Sequence, residues 1–190
     1  MGEHVTHVRV AEALVAGRGL EVLAEGITPD EITTAMRERG FVAVRSAGDG
    51  LLVVIVTARA NKLHTVAYVT KMILAAAEPG FREVIAVVGE LVAPKIARAL
   101  AEQYAGFVRV RTHVEMQMNP VANEAYSPHT RIPPDEVAAT LGPHTSARGL
   151  ARMLESDPVC VWLGFTAGDL LQEGRPGGRV SYRYVYGDGG

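Results

Sequence analysis

Leu51-Leu52-Val53-Val54-Ile55-Val56 is the stretch on which the fold of the first half turns. Six consecutive apolar residues, four of them β-branched, are too few for a membrane span and carry no polar side for water, so they predict a strand buried on both faces. Such a strand needs a layer on each side. Downstream, residues 63–77 predict a helix, Val84-Ile85-Ala86-Val87-Val88 a second buried strand, and Pro94 to Tyr104 a second helix with Ile96, Ala97, Leu100 and Ala101 apolar. Phe107 to Val114 alternates apolar and polar residues and predicts a third strand. Strand, helix, strand, helix, strand implies right-handed crossovers and a mostly parallel small sheet with flanking helices.

Upstream, Val5, Val8, Ala11, Leu14 and Val15 have helical spacing, with Gly17 or Gly19 as the stop. Thr28-Pro29-Asp30-Glu31 is a helix start: Thr28 can cap, Pro29 fits the first turn and Glu31 can close a capping box, with Gly40 ending the helix. Gly48-Asp49-Gly50 is a turn before the decisive strand. Residues 1–115 therefore read as an α/β domain, and 116–190 as a small α+β domain. The second domain starts with loop signals at Asn119-Pro120, Ser127-Pro128 and Pro133-Pro134. Asp135 to Leu141 and Ala147 to Leu154 are expected as short helices. Leu170-Leu171, Gly177-Gly178 and Arg179 to Tyr186 are expected as a hairpin, and 187–190 as a frayed tail.

The chain has 190 residues and a formal net charge of -2, which excludes grip on a polyanion by bulk charge alone. Residues 1–115 hold 13 basic and 13 acidic side chains, and 116–190 hold 6 and 8, so neither half is a basic module. Arginine dominates the bases, with only Lys62, Lys71 and Lys95 as lysines; bidentate phosphate recognition and the codon usage of a GC-rich genome both produce that bias. The single cysteine, Cys160, rules out an intrachain disulfide and suits a reducing compartment. Its apolar neighbours predict a buried thiol. No signal peptide or membrane span is expected.

Catalytic constellations are thin. After the strand at 51–56, Thr57-Ala58-Arg59-Ala60-Asn61-Lys62 lacks the glycines of a phosphate-binding turn. No carboxylate cluster accompanies Lys62, as a metal nuclease would need. His4 and His7 fall one helical turn apart but have no further ligand tied to them by spacing, and they are expected as solvated terminal histidines. His64, His113, His129 and His144 are scattered. His113 and Glu115 would share a strand face as an ordinary polar pair. No catalytic residue, metal site or cofactor is expected.

The second half carries Ser156-Asp157-Pro158-Val159, then Trp162-Leu163-Gly164, Ala167-Gly168-Asp169-Leu170 and Gly177-Gly178-Arg179-Val180-Ser181-Tyr182-Arg183-Tyr184-Val185. In order, spacing and residue type this resembles the C-terminal signature of the subunit 5 family of DNA-directed RNA polymerases, in its eukaryotic and viral form, a signature that the family's archaeal equivalent shares. Leu150-Ala151-Arg152-Met153 and His129 are similar to further family positions, and Thr112-His113-Val114-Glu115-Met116 to the strand before them. The first half resembles the family's N-terminal jaw domain, which archaeal members lack. The chain departs from the family at Leu171-Gln172-Glu173-Gly174-Arg175, where the family is basic and apolar, at Val92-Ala93-Pro94-Lys95, where hydroxyls are missing, and in a longer link at 117–128.

The resemblance implies a non-catalytic polymerase subunit. Its C-terminal domain would dock on the largest subunit, among the other polymerase subunits, and its jaw would line the path of downstream DNA, with indirect or weak contact on the side of Pro94 and Lys95. Implied interface positions are His129, Arg152, Asp157, Pro158, Val159, Gly164, Gly168, Asp169, Arg179, Tyr182 and Arg183. The implied location is the nucleus of a cell, or the virion or factory of a large DNA virus. Of these residues, Asp157 and Pro158 suit a helix cap and first turn, and Gly164 and Gly168 suit positive φ. Arg179 and Arg183 would share a strand face opposite Tyr182 and Tyr184, directed at a partner or an internal carboxylate. The competing readings are a standalone α/β nuclease-like or nucleotide-binding protein, and a regulator that copies the subunit.

Overall fold

The computed structural model describes residues 3–23, 27–47, 50–56, 66–76, 81–89, 93–104, 107–142, 146 and 149–187. Outside these lie Gly48-Asp49, the Thr57 to Lys62 segment, His64, His144, Ala147, Val92 and the tail from 188, together with the side chains of His4 and Lys95. The protein is a mixed α/β chain with a five-stranded and a four-stranded sheet. It divides into two compact units, Met1–Met118 and Asn119–Gly190.

In the first unit, helices α1 (Glu3–Gly17), α2 (Pro29–Arg39), α3 (Val66–Ala76) and α4 (Ala93–Tyr104) flank strands β1 (Val22–Leu23), β2 (Phe41–Ser46), β3 (Leu51–Val56), β4 (Glu83–Val88) and β5 (Val108–Thr112). The sheet order follows the sequence. β3, β4 and β5 run parallel, as crossover helices require, while β2 pairs antiparallel with both β3 and β1, so that β2 alone runs against the other four strands. The expected mostly parallel sheet is therefore a mixed one. The strand at 41–46 lies outside the sequence expectation, and the short connection from Ser46 to Leu51 leaves room only for an antiparallel return.

The decisive strand is buried at all six positions. Leu52, Val54 and Val56 pack with Val69, Met72 and Ile73 of α3 and Leu100 of α4. Alternation leaves Leu51, Val53 and Ile55 for the face against α1. Each such side chain contributes about 1.5–3 kcal/mol of hydrophobic stabilisation. The turn into β3 is tightly specified: the buried Ser46 hydroxyl accepts the Leu51 N–H at 2.7 Å. A Cβ on Gly50 would lie 2.5 Å from that hydroxyl.

Local signals set the helix ends. Thr28 Oγ1 accepts the Glu31 N–H, Glu31 Oε2 accepts the Thr28 N–H at 2.7 Å, and Gly40 closes α2 at φ 80°. Hydrogen bonds from the Thr28 backbone and hydroxyl hold the Glu31 carboxyl below its ordinary range.

Two histidine expectations are corrected. His7 is fully buried and stacks on His113 with ring centroids 4.9 Å apart. It falls on the inner stripe of α1 with Ala11 and Leu14, four and seven residues on. His113 does not share a strand face with Glu115, because β5 ends at Thr112 and Glu115 turns back to accept the Thr112 N–H at 2.7 Å. His113 Nε2 lies 3.0 Å from the Val56 carbonyl. A carbonyl only accepts, so this nitrogen carries the proton.

In the second unit, β6 (His129–Arg131), α5 (Val137–Leu141), β7 (Ala151–Leu154), α6 (Pro158–Leu163), β8 (Leu170–Gly174) and β9 (Val180–Tyr186) form a sheet of order β6-β8-β9-β7 with two short helices. The hairpin of β8 and β9 is antiparallel, and β7 pairs parallel to β9. Of the helix expected over 147–154, the part Ala151–Leu154 is corrected to the strand β7. Its backbone is satisfied by a partner some thirty residues on, a contact no local pattern announces. Met153, Leu171 and Val185 on one sheet face pack with Cys160 and Phe165 against α6. No helix among the described residues is long and apolar enough to cross a membrane.

Candidate functional site

Helix α6 shapes the site. Asp157 Oδ1 accepts the Val159 N–H at 2.8 Å, Pro158 takes the first helical position, and Gly164 ends the helix at φ 73°. Gly168 adopts φ 100° in the turn to β8. The helix is only six residues long, so it covers the apolar end of the sheet face and leaves the other end open.

That open end is polar. Register places His129, Glu173 and Ser181 side by side across β6, β8 and β9, with Arg183 two residues further along the same face. Glu173 is 4% exposed. Its Oε2 accepts Arg183 Nε at 2.6 Å, the Ser181 hydroxyl at 3.0 Å and Arg175 Nη2 at 3.0 Å. Burial pushes this carboxyl up, but the hydrogen bonds from Arg183 and Ser181 and the charges of both arginines outweigh it, so the group sits below the ordinary carboxylate range. Neither His129 ring nitrogen makes a hydrogen bond of normal geometry. Desolvation lowers its pKa, opposed by the charge of Glu173 and the nearby Ser127 backbone.

Around this floor lies an open groove of about 710 Å³. One wall is the start of α6 from Ser156 to Val159, another the edge strand β7, and the third the link at 120–127. The link is folded by its own side chains. Asn119 Oδ1 accepts the Val121 N–H, Asn123 Oδ1 accepts the Ala125 N–H, and the Tyr126 hydroxyl accepts the His129 N–H at 3.0 Å.

Six of the residues singled out in the sequence, His129, Arg152, Asp157, Pro158, Val159 and Arg183, line this groove. Arg152 does so from the rim, with its guanidinium 4.8 Å over the Tyr186 ring. The others do not line it. Asp169 accepts the Thr166 N–H and pairs with Arg131 at 3.0 Å, and Gly164 accepts a second Arg131 hydrogen bond through its carbonyl. Arg179 is exposed and closes the hairpin through its carbonyl to the Arg175 N–H. Tyr182 alternates with Arg183 and so lies on the other sheet face. In the other unit, Pro94 is exposed in the first turn of α4.

Of the two directions expected for Arg183, the structure supplies the internal carboxylate, Glu173. Sequence reasoning does not single out Glu173 or Tyr126 as site residues. The signal for Glu173 is an acid at an inward strand position, which needs a partner. Tyr126 has none, since its role depends on the fold of the link. Among the described residues, no group of three or more His, Cys, Asp or Glu is gathered to hold a metal ion. No protein-family model matches the chain, and no curated protein matches it.

Proposed function

We propose that the chain is a non-catalytic subunit of a multisubunit DNA-dependent RNA polymerase. In this reading the 119–190 unit docks on the largest subunit, and the 1–118 unit forms part of the jaw beside downstream DNA. The chemistry would belong to the large subunits, and the location would be the nucleus, or the virion or factory of a large DNA virus.

The observation that carries the reading is the fit between signature residues and local roles in the second unit. Asp157 caps, Pro158 starts and Gly164 ends one short helix, and Gly168 has positive φ. Arg183 holds a buried acid beside an open groove. A motif whose separate parts each answer a structural demand of one unit is more specific than its letters alone. The near-neutral charge is consistent with a positional role, in which DNA is held by the field of the assembly.

The test is affinity purification of the tagged chain from its native source, with stoichiometry of the co-purifying proteins. Equimolar recovery with two very large polymerase subunits is expected. Recovery of the chain alone in soluble form would sink the proposal.

A further inference from the structure

Strand β7 lies at one edge of its sheet, and β9 satisfies one side of its backbone. The Glu155 N–H donates to the Tyr186 carbonyl at 2.8 Å, which fixes the phase of this ladder. Main-chain groups of successive strand residues point to opposite sides, so Ala151 and Met153 turn theirs to β9 and Arg152 and Leu154 turn theirs outward. The Leu154 carbonyl accepts the Asp157 N–H at 3.0 Å. The Arg152 N–H, the Arg152 carbonyl and the Leu154 N–H meet no hydrogen-bond partner among the described residues.

The other sheet edges are blunted. β1 is two residues long. At β5 the Thr112 N–H is taken by the Glu115 carboxylate, and at β6 the His129 N–H is taken by the Tyr126 hydroxyl. Open edges are templates for pairing, and such devices close them. β7 instead presents donor, acceptor and donor in line, beside a Leu154 side chain that is 54% exposed. Two residues of strand span about 7 Å, a repeat that another extended backbone matches.

We propose that β7 takes an extended, apolar segment of a partner polypeptide as a fifth strand of this sheet. The inference rests on reading the unit as a docking module. The recognition is main chain to main chain, with side chains adding preference at alternate positions. A β-branched residue opposite Leu154 would cover its exposed apolar surface. The residue opposite Met153 falls on the groove side, where Met153 is part of the wall.

A second copy of this chain fits the edge poorly. Antiparallel self-pairing either sets Arg152 directly opposite its own copy, a repulsive pair, or calls on the Leu154 carbonyl that already serves Asp157. A four-residue edge also falls far short of the roughly 800 Å² per partner of a stable interface. A segment whose chain is anchored elsewhere does not need that area, because tethering raises its effective concentration.

The experiment is NMR hydrogen exchange of the full chain, alone and with acetyl-Thr-Val-Thr-Val-Thr-amide at about 5 mM. The comparison is the same peptide N-methylated at every residue, which keeps the side chains and loses the donors. In the chain alone, the Arg152 and Leu154 amides are expected to exchange at least about tenfold faster than those of Met153 and Glu155. The peptide should slow both, and the N-methylated form should not. Arg152→Pro deletes an outward N–H that the β9 ladder does not use, a position where an edge strand admits proline. It should bind the peptide about fivefold more weakly than Arg152→Gln, which lacks the same guanidinium but keeps the N–H; the difference is the contribution of one hydrogen bond. If Arg152→Pro does not fold, exchange in the unaltered chain decides alone. Arg152 and Leu154 amides already protected in the isolated chain, protection that grows with chain concentration as a second copy would produce, no protection by the peptide, or equal protection by its N-methylated form would overturn the proposal. Co-purification with polymerase is read separately, so an edge that ignores the peptide in a chain that still assembles removes this inference alone. An edge that binds it in a chain that purifies without polymerase removes only the functional reading.

Discussion

Replacing Glu173 with glutamine keeps the shape of the groove floor and removes one charge. Hydrogen bonds to a charged group contribute roughly 1.5–3 kcal/mol, against about 1 kcal/mol for neutral pairs. Two of the three bonds to Glu173 come from guanidinium groups, at 2.6 and 3.0 Å. Arg175 is 46% exposed, so water and salt screen most of its share. Arg183 dominates, and the expected loss is about 2 kcal/mol, or roughly 10 °C in Tm for a unit of this size. Trp162 is the only tryptophan and is buried on α6 in the same unit, so its fluorescence reports this unit's unfolding. The pH dependence has a definite sign. The folded Glu173 carboxyl has a lowered pKa, so its stabilisation is complete above the ordinary value of 4.5 and fades as pH falls through the folded value. The gap between wild type and Glu173→Gln should be wide at neutral pH and close in acid. A neutral-pH gap below about 0.5 kcal/mol, within the scatter of surface substitutions, would refute the reasoning. So would a gap that persists unchanged in strong acid.

Other outcomes follow from single contacts. Asp157→Ala removes the cap of α6 and should destabilise the same unit by about 1 kcal/mol in urea titrations followed by Trp162. Gly168→Ala forces a Cβ into φ 100° and should cost about 1–3 kcal/mol by the same measurement. In the first unit, Ser46→Ala leaves the buried Leu51 N–H without its acceptor and should cost about 1–3 kcal/mol, read by circular dichroism. Gly50→Ala should also destabilise that unit, since its Cβ meets the Ser46 hydroxyl at 2.5 Å; the double variant with Ser46→Ala should lose less than the sum of the two.

Local chemistry made much of the first unit legible. A run of six apolar residues between turn signals answers only to a fully buried strand, and Thr28 to Glu31 states its own helix start. What escaped depended on neighbours distant in sequence. Phe41 to Ser46 has the β-branched character of a strand, but its role as an antiparallel addition is fixed by pairing with β3. Ala151 to Leu154 is too short to display a period, and only β9 makes it a strand. His7 reads as solvated because it stands near the start of the chain, although its spacing from Ala11 and Leu14 already places it on the inner stripe of α1. In the site, Asp157, Pro158, Gly164 and Gly168 are readable because their demands are local. Glu173 looks like a blemish in an apolar strand until Arg183 and Arg175 stand beside it.

The position of β9 has a consequence for how the second unit comes into being. This strand follows the other three strands of its sheet in the sequence, yet it lies between β8 and β7. During synthesis β7 therefore leaves the ribosome with no ladder to join, and β8 has only β6, until the chain has passed Tyr186. The first unit has all five of its strands well before then and can complete itself. Assembly of the second unit is thus timed by the emergence of one strand. A chain cut short before Val180 would carry a finished first unit joined to a β6-β8 pair and to a β7 with no ladder to join.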